Sequence, residues 1–286
     1  MEEEAEGILM SLMSSGWMVT IIIIVLVIAS VTFGIVRTFL KYEKYQISSD
    51  HNRIYITNGL IEETAFSISK EKVQAIEIKQ SIMKRLLGLA EVKLISAGSL
   101  SSGEDSLVIN SLYPFLPVKR AYEMVSEILP SYEVIPKMIR LPEKSLWVRL
   151  FKPSWIWIIA TATLFYFKPS ILKVEQGWWL LSAVLFIFIA VSRLLDFFNT
   201  RYILNNQFIQ FKTGSLTTSL FVSKRDKIIE VKVTRNIIQQ MVGLASIITI
   251  NRAKPVHHAG VGDVPLELAV SLYQWYMGRR NEIKVE

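Results

Sequence analysis

The 286-residue chain has no cysteine. That removes disulfides, thiolate metal sites, iron–sulfur clusters and cysteine nucleophiles together. Histidine is nearly as scarce, with only His51, His257 and His258. Neighbouring side chains on a strand or helix point apart, so His257 and His258 cannot both face one metal, and no carboxylate lies between Glu230 and Asp263 to join them. They read as a loop pair, and no metal or cofactor is expected. The acidic pairs Glu62-Glu63 and Glu104-Asp105 sit in polar, turn-like stretches and read as solvated loops. The serine-rich stretch 99–103 lacks the Gly-Lys-Ser/Thr ending of a phosphate-cradling loop. Gly260-Val261-Gly262-Asp263 is a lone Gly-x-Gly and points to no particular chemistry. No nucleophile, base and orienter stand at the spacing catalysis needs, so the chain reads as non-enzymatic.

Charge is missing from long stretches. Glu6 and Arg37 are separated by 30 residues without a formal charge, centred on residues 21–28. About 20 apolar residues cross a bilayer core, so residues 17–36 suffice. The preceding segment holds Glu2, Glu3, Glu4 and Glu6 and no base, which excludes a cleaved signal peptide. A second run, between Lys152 and Lys168, has 15 residues and spans roughly 22 Å as a helix, short for a crossing unless both lysines reach outward. A third, 177–198, opens on Trp178-Trp179 and ends near Arg193 and Asp196, which are placed to pair on one helical face. Joined through Pro169, the last two form a helical hairpin.

The formal net charge of +7 is uneven: residues 41–150 hold 15 bases and 13 acids, residues 199–286 hold 12 and 6. The ends of the apolar runs next to the polar stretches carry Arg37, Lys41, Lys44, Arg140, Lys144, Arg149, Lys152, Arg193 and Arg201, against Lys168 and Lys173 on the other side. The positive-inside rule then puts the N-terminus outside and the polar stretches in the cytoplasm, in a multi-pass protein of the cell membrane. Basic surface in such a protein is better explained by anionic lipid than by nucleic acid.

The polar stretches repeat each other at an offset of 155. Gly59 falls on Gly214, Phe66 on Phe221, Lys72 on Lys227, Ile82 on Ile237, and Gly88-Leu89-Ala90 on Gly243-Leu244-Ala245. In the first copy, alternating residues 53–57 meet Asn58-Gly59, a strong hairpin signal, and strands follow at 60–66, 73–78, 92–96 and 107–109. A short helical turn at 81–87 is closed by Gly88. A final helix over 115–129 has Ala121, Met124, Val125 and Ile128 on one face. The second copy gives strands at 202–204, 208–213, 217–221, 228–234 and 247–251. Its closing helix covers 264–277, with Asp263 as N-cap and Pro265 in the first turn.

The residues Asn58-Gly59-Leu60-Ile61, Lys72-Val73-Gln74-Ala75-Ile76, Gln80-Ser81 and Leu86-Leu87-Gly88-Leu89-Ala90, with Thr213-Gly214-Ser215-Leu216 and Met241-Val242-Gly243-Leu244-Ala245 in the second copy, resemble the bacterial pleckstrin-homology-like domain (bPH2) of YdbT-type membrane proteins. The resemblance implies an α+β fold: two pleckstrin-homology-like domains, each a curved antiparallel sheet plus a C-terminal helix, attached to transmembrane helices. The expected layout is an acidic N-terminus and first span over 1–40, a first domain over 41–135, a linker over 136–152, a transmembrane hairpin over 153–198 and a second domain over 199–286. Members usually place a two-helix hairpin before each domain, so a single span before the first copy marks a short form or a truncated one. The family carries no defined activity. Eukaryotic relatives bind phosphoinositides through bases at the first hairpin, which 50–52 and 205–207 lack.

The candidate contact for lipid headgroups is Lys224, Arg225, Lys227, Lys232 and Arg235, flanking one strand of the second copy. The expected function is a scaffold with exposed sheet edges, partnered by membrane lipids and by a companion PH-like membrane protein or a second copy of itself, without nucleic acid. The alternative is a component of a transport or antimicrobial-resistance and envelope-defence complex. The runs hold few polar residues for a transport path beyond Ser30, Thr32, Thr161, Thr163 and Ser182.

Overall fold

The computed structural model describes residues 16–42, 45–58, 64–97, 111–168, 177–253 and 256–278. They form two compact units. The first contains helix α1 (Gly16–Tyr42) and is built on the sheet β1 (Gln46–Ser49), β2 (Arg53–Asn58) and β3 (Thr64–Ser69). β1 and β2 form a tight antiparallel hairpin, Gln46 opposite Thr57 and Ser49 opposite Ile54. The Tyr55 hydroxyl donates to the Asp50 carboxylate across its turn at 3.0 Å. In α1 every side chain from Thr20 to Gly34 is exposed. The turn expected at Asn58-Gly59 and the strand at 107–109 lie wholly or partly outside the described residues.

The second unit starts at Ile68 and is organised by one sheet of seven strands. In chain order its strands are β4 (Val73–Gln80), β5 (Leu89–Ser96), β6 (Ser111–Pro117), β7 (Ile139–Arg140), β8 (Arg201–Leu204), β9 (Phe208–Thr213) and β10 (Thr218–Lys224). In space they run β6-β5-β4-β10-β9-β8-β7. The centre is an antiparallel match of β4 from the first repeat with β10 from the second, Ala75 opposite Ser223 through Gln80 opposite Thr218. The edges expected to stay exposed at these two strands are therefore used up on each other. Ser219 Oγ donates to Glu77 at 2.6 Å, and Asn251 Nδ2 donates to Ser223 Oγ at 2.8 Å. The core follows this fusion: Ala75 and Ile95 pack in one cluster with Ile209, Phe211, Phe221 and Ile247.

A further sheet orders β11 (Ile228–Thr234), β12 (Leu244–Asn251) and β13 (His257–Pro265). Two short helices, α2 (Ile82–Leu86) and α7 (Ile237–Val242), sit at the same place in each repeat, before β5 and β12. Helices α3 (Val118–Ile128) and α8 (Leu266–Met277) close the repeats. α3 buries Ala121, Met124, Val125 and Ile128, the face its 3.6-residue period dictates.

Two expectations fail near the C-terminus. Residues 257–265 are a strand, although two glycines and a proline give them low β-propensity; pairing with β12 decides the conformation. Gly260 is required there, because a Cβ would lie 2.6 Å from the Ile247 carbonyl oxygen. Consequently α8 starts behind Pro265, and Asp263 is a strand residue at φ +58° rather than an N-cap. His257 and His258 belong to this strand, not to a loop, with His257 stacked 5.5 Å from the Phe221 ring and His258 exposed.

Between the repeats lie α4 (Glu143–Phe151), α5 (Trp155–Phe167) and α6 (Trp178–Asn199). Pro153 separates α4 from α5, since it would remove a helical hydrogen bond. α5 has 13 residues and α6 has 22, about 20 and 33 Å at 1.5 Å per residue. They are clasped by Trp157 Nε1 donating to the Ser182 carbonyl at 3.2 Å and by Thr161 and Ser182 hydroxyls 2.7 Å apart.

Candidate functional site

The most concentrated polar arrangement stands where the apolar hairpin enters the sheet. α4 is amphipathic, with Val148 and Arg149 buried and Trp147 and Phe151 stacked on its exposed side. Arg149 is a fork of donors in a buried position, which demands partners in the matching geometry. It finds four. Nη1 donates to Asp196 Oδ2 at 2.7 Å and to Thr200 Oγ1 at 3.0 Å, Nη2 donates to the Gly262 carbonyl at 3.0 Å, and Nε donates to Asp263 Oδ2 at 3.3 Å. One side chain therefore joins α4, the end of α6 and β13.

The carboxylates are themselves held. Asp196 Oδ1 accepts from the Gly214 amide at 3.0 Å, and Asp263 Oδ1 accepts from Gln239 Nε2 of α7 at 2.7 Å. Next to Asp196, Asn199 Nδ2 donates to the carbonyls of Gly214 and Ser215 at 3.1 and 2.9 Å, while its Oδ1 accepts from Arg85 of α2 at 3.0 Å. Gly214 is at φ +116° with Thr217 O only 2.0 Å from where a Cβ would stand, so no other residue fits this turn. The pairing expected between Arg193 and Asp196 does not form. Arg193 Nη1 donates to the carbonyls of Leu150 and Lys152 at 2.9 and 2.5 Å, because Pro153 leaves the end of α4 without helical partners.

The five bases singled out from the sequence do not converge. Lys224 ends β10 with its ammonium 4.9 Å from the Tyr132 ring centre, and Arg225 lies over Trp275 at 5.6 Å. Lys227 donates to the Glu71 carbonyl at 3.1 Å. Burial pushes the Lys224 ammonium below its ordinary range, with Asp226 opposing and Lys227 reinforcing the shift. Lys232 stands exposed on β11. Arg235 is at the other end of that strand, donating to the carbonyls of Leu244 and Gln240 at 3.2 and 3.3 Å. Lys224, Arg225 and Lys227 thus share one end of the strands, and Arg235 the opposite one.

Among the described residues this arrangement is a framework that positions elements. Comparison with known proteins agrees with the repeat. The model of the bacterial PH domain matches twice, over residues 8–131 and 155–280. The chain belongs to the bacterial PH domain family. It is also 25% identical over 249 residues to the UPF0699 transmembrane protein YdbT of Bacillus subtilis (strain 168), an alignment covering 85% of this chain and 48% of that protein. The chain therefore spans about half the length of the curated relative it matches. No solved structure matches it. Within the bacterial PH frame, Asp196, Thr200, Gly262 and Asp263 lie in the second matched stretch and Arg149 just before it. At the offset of 155, Asp196, Asn199 and Thr200 face Lys41, Lys44 and Tyr45. Sequence reasoning passed over Arg149 as a flanking base and Asp263 as a cap. The available signal was a lone arginine four residues before the start of an apolar run, with an aspartate near the end of the next.

Proposed function

We propose that the chain is a multi-pass membrane protein, with the hairpin spanning the bilayer and the bacterial PH repeats on the cytoplasmic face. It acts there as a non-enzymatic scaffold that joins further copies of itself by strand addition. The hairpin supports the first part. Ile156 and Phe188 are 75% and 57% exposed, and many neighbours are similar. Burying each such side chain is worth about 1.5–3 kcal/mol, so these surfaces call for an apolar surrounding. α6, and the stretch 143–167 taken as one, are long and apolar enough to cross by length and composition. The bases flanking the runs favour the cytoplasmic orientation.

The second part rests on the β4–β10 junction. It is heterologous: a fourth strand of one repeat meets a third strand of the other. Such contacts propagate unless they close. β11, the counterpart of β4, has β12 on one side and, from Glu230 to Thr234, no strand on the other among the described residues. β3, the counterpart of β10, ends its own sheet. Charge on β11 is no bar, since β4 carries Glu77 and Lys79 and pairs nevertheless. Transferring the observed register by the offset of 155 puts Ser67 of one chain opposite Val231 of another, as Val222 stands opposite Ile76.

The absence of cysteine permits a direct test. Membranes holding Ser67→Cys and Val231→Cys chains together are oxidised. Opposed residues of an antiparallel pair lie about 4.5–5.5 Å apart at Cα, within disulfide reach. A two-chain product is expected from the mixture and not from either variant alone. Val222→Cys with Ile76→Cys in one chain is the positive control. A control that closes while the mixture stays monomeric refutes strand addition between copies, as does a product joined to a polypeptide of another size.

A further inference from the structure

Helices α2 and α7 carry large apolar side chains that nothing in the described structure covers. Leu86 and Leu87 are 77% and 72% exposed, and Ile237 and Met241 are 77% and 83% exposed. An exposed Leu is ordinary; the same short helix in both repeats, apolar on its outer side each time, is not. Both helices are rigidly set. Ser81 accepts from the Lys84 amide at 3.4 Å at the start of α2, and Asn236 and Gln239 form a capping box on α7. Gly88 and Gly243 turn the chain back at φ +67° and +74°.

Both are also tied to the root of the hairpin, α2 through Arg85 to Asn199 and α7 through Gln239 to Asp263 and so to Arg149. Trp147 of α4, 60% exposed, lies on the helix that carries Arg149. The bases at these helices point away from the apolar side. Lys84 reaches back to Glu91 at 2.7 Å, and Arg235 holds carbonyls beside α7. Burial raises the Glu91 carboxyl, but hydrogen bonds and charge from Lys84 and Lys93 together hold it below its usual range.

From this placement we infer that α2 and α7 are a pair of interfacial anchors that dip into the headgroup–acyl boundary around the exit of α6. The inference rests on the spanning hairpin of the proposed function. The occupant is a lipid surface, because the helices are fixed at the level where α6 ends, and an apolar outer face with its charges held back fits the boundary region of a bilayer. Attraction is apolar, so it is insensitive to salt and to anionic headgroups. Lys224, Arg225 and Lys227 are then held off the membrane. β10 begins next to the turn that binds Asn199 and runs seven residues away from it, about 20 Å at the rise of a strand.

Single cysteines at Leu86, Met241, Asp226 and Phe188, each labelled with an environment-sensitive fluorophore in the full chain, test this in vesicles of phosphatidylcholine with and without phosphatidylglycerol. Quenchers sit either near the headgroups or at the bilayer centre. The labels at 86 and 241 are expected to be blue-shifted and quenched by the shallow probe, equally with both lipids and at high salt. The label at Asp226 stays water-like. Labels at Met83→Cys and Ile237→Cys repeat the measurement if a first variant misfolds. Phe188→Cys, quenched from the bilayer centre, reports the hairpin independently. Water-like labels at 86 and 241 beside a deep label at 188 refute the anchors alone, whereas a water-like label at 188 refutes the span and the anchors with it. Blue-shifted but unquenched labels mean a protein cover, and quenching at Asp226 or only with phosphatidylglycerol means docking through the basic end. Each of those also overturns the inference.

Discussion

Strands β4 and β11 occupy the same place in two copies of one domain and meet opposite surroundings. In β4 the first four residues are buried, Ile76 completely, because β10 runs along its outer side. In β11 only Ile228 is buried, and Val231, the counterpart of Ile76, is half-buried. Their sequences, Val73-Gln-Ala-Ile-Glu-Ile-Lys-Gln80 and Ile228-Ile-Glu-Val-Lys-Val-Thr234, have the same apolar rhythm. Burial in this chain is therefore set by the order of the repeats as much as by the strands themselves. A similar asymmetry divides the helices that lead into each copy, since Asp196, Asn199 and Thr200 fall on Lys41, Lys44 and Tyr45.

The largest effect expected from this asymmetry is at Arg149. Arg149→Met keeps the apolar stem but leaves Asp196 and Asp263 beside each other without their cation. Removing one partner of a buried ionic cluster costs about 3–5 kcal/mol, and the 37% exposure of the Asp196 side chain puts this loss at the low end. Denaturant unfolding of the purified full chain should show a loss of that size. A loss under about 1 kcal/mol would mean that the hairpin is not rooted through this residue, and that the difference between the repeats at this point is only of sequence.

Next comes the pair of strands itself. Ile76→Ala empties a fully buried site, at about 2–5 kcal/mol. Val231→Ala, on a half-buried edge strand, should cost about 0.5 kcal/mol in dilute detergent. The contrast sharpens in native membranes. If a second chain covers β11, Val231→Ala should cost more there than in detergent, while Ile76→Ala should cost the same in both. Equal costs for the two in detergent would break the comparison.

Much of this was legible in the sequence, and the pattern of what was not is physical. The offset of 155 holds for β5 and β12 residue for residue, because Gly88 and Gly243 turn the chain at positive φ at the same point of each copy. The buried face of α3 follows from its period alone. The fusion of β4 with β10 could not be read, since a strand's pattern shows which side faces a core and not which strand lies beside it. β13 was hidden because His257 to Pro265 lacks branched and aromatic residues other than Val261 and Val264, and its partner imposes the conformation. The five bases were read as flanking one strand, and the seven residues of β11 set Lys224, Arg225 and Lys227 at one end and Arg235 at the other. Arg149 escaped notice for the opposite reason: its partners at 196, 200, 262 and 263 are far along the chain.

The smallest difference between the copies should be at the glycines that close α2 and α7, which makes them the control for the rest. Gly88 and Gly243 both sit at positive φ, and at neither would a Cβ meet an atom within 4 Å. Each also offers its carbonyl to the first amide of the closing helix, from Val118 at 3.2 Å and from Leu266 at 3.1 Å. Substitution by alanine adds no clash and removes no hydrogen bond. What remains is the left-handed backbone conformation, which costs an L-residue about 1–2 kcal/mol. Gly88→Ala and Gly243→Ala should therefore destabilise the full chain by equal amounts in denaturant unfolding, although β4 is covered and β11 is not. Equality would show that the repeats are the same machine locally and differ only in what surrounds them. A difference above about 1 kcal/mol between the two would instead mean that the divergence reaches into the turn that leads from α2 and α7 into their sheets.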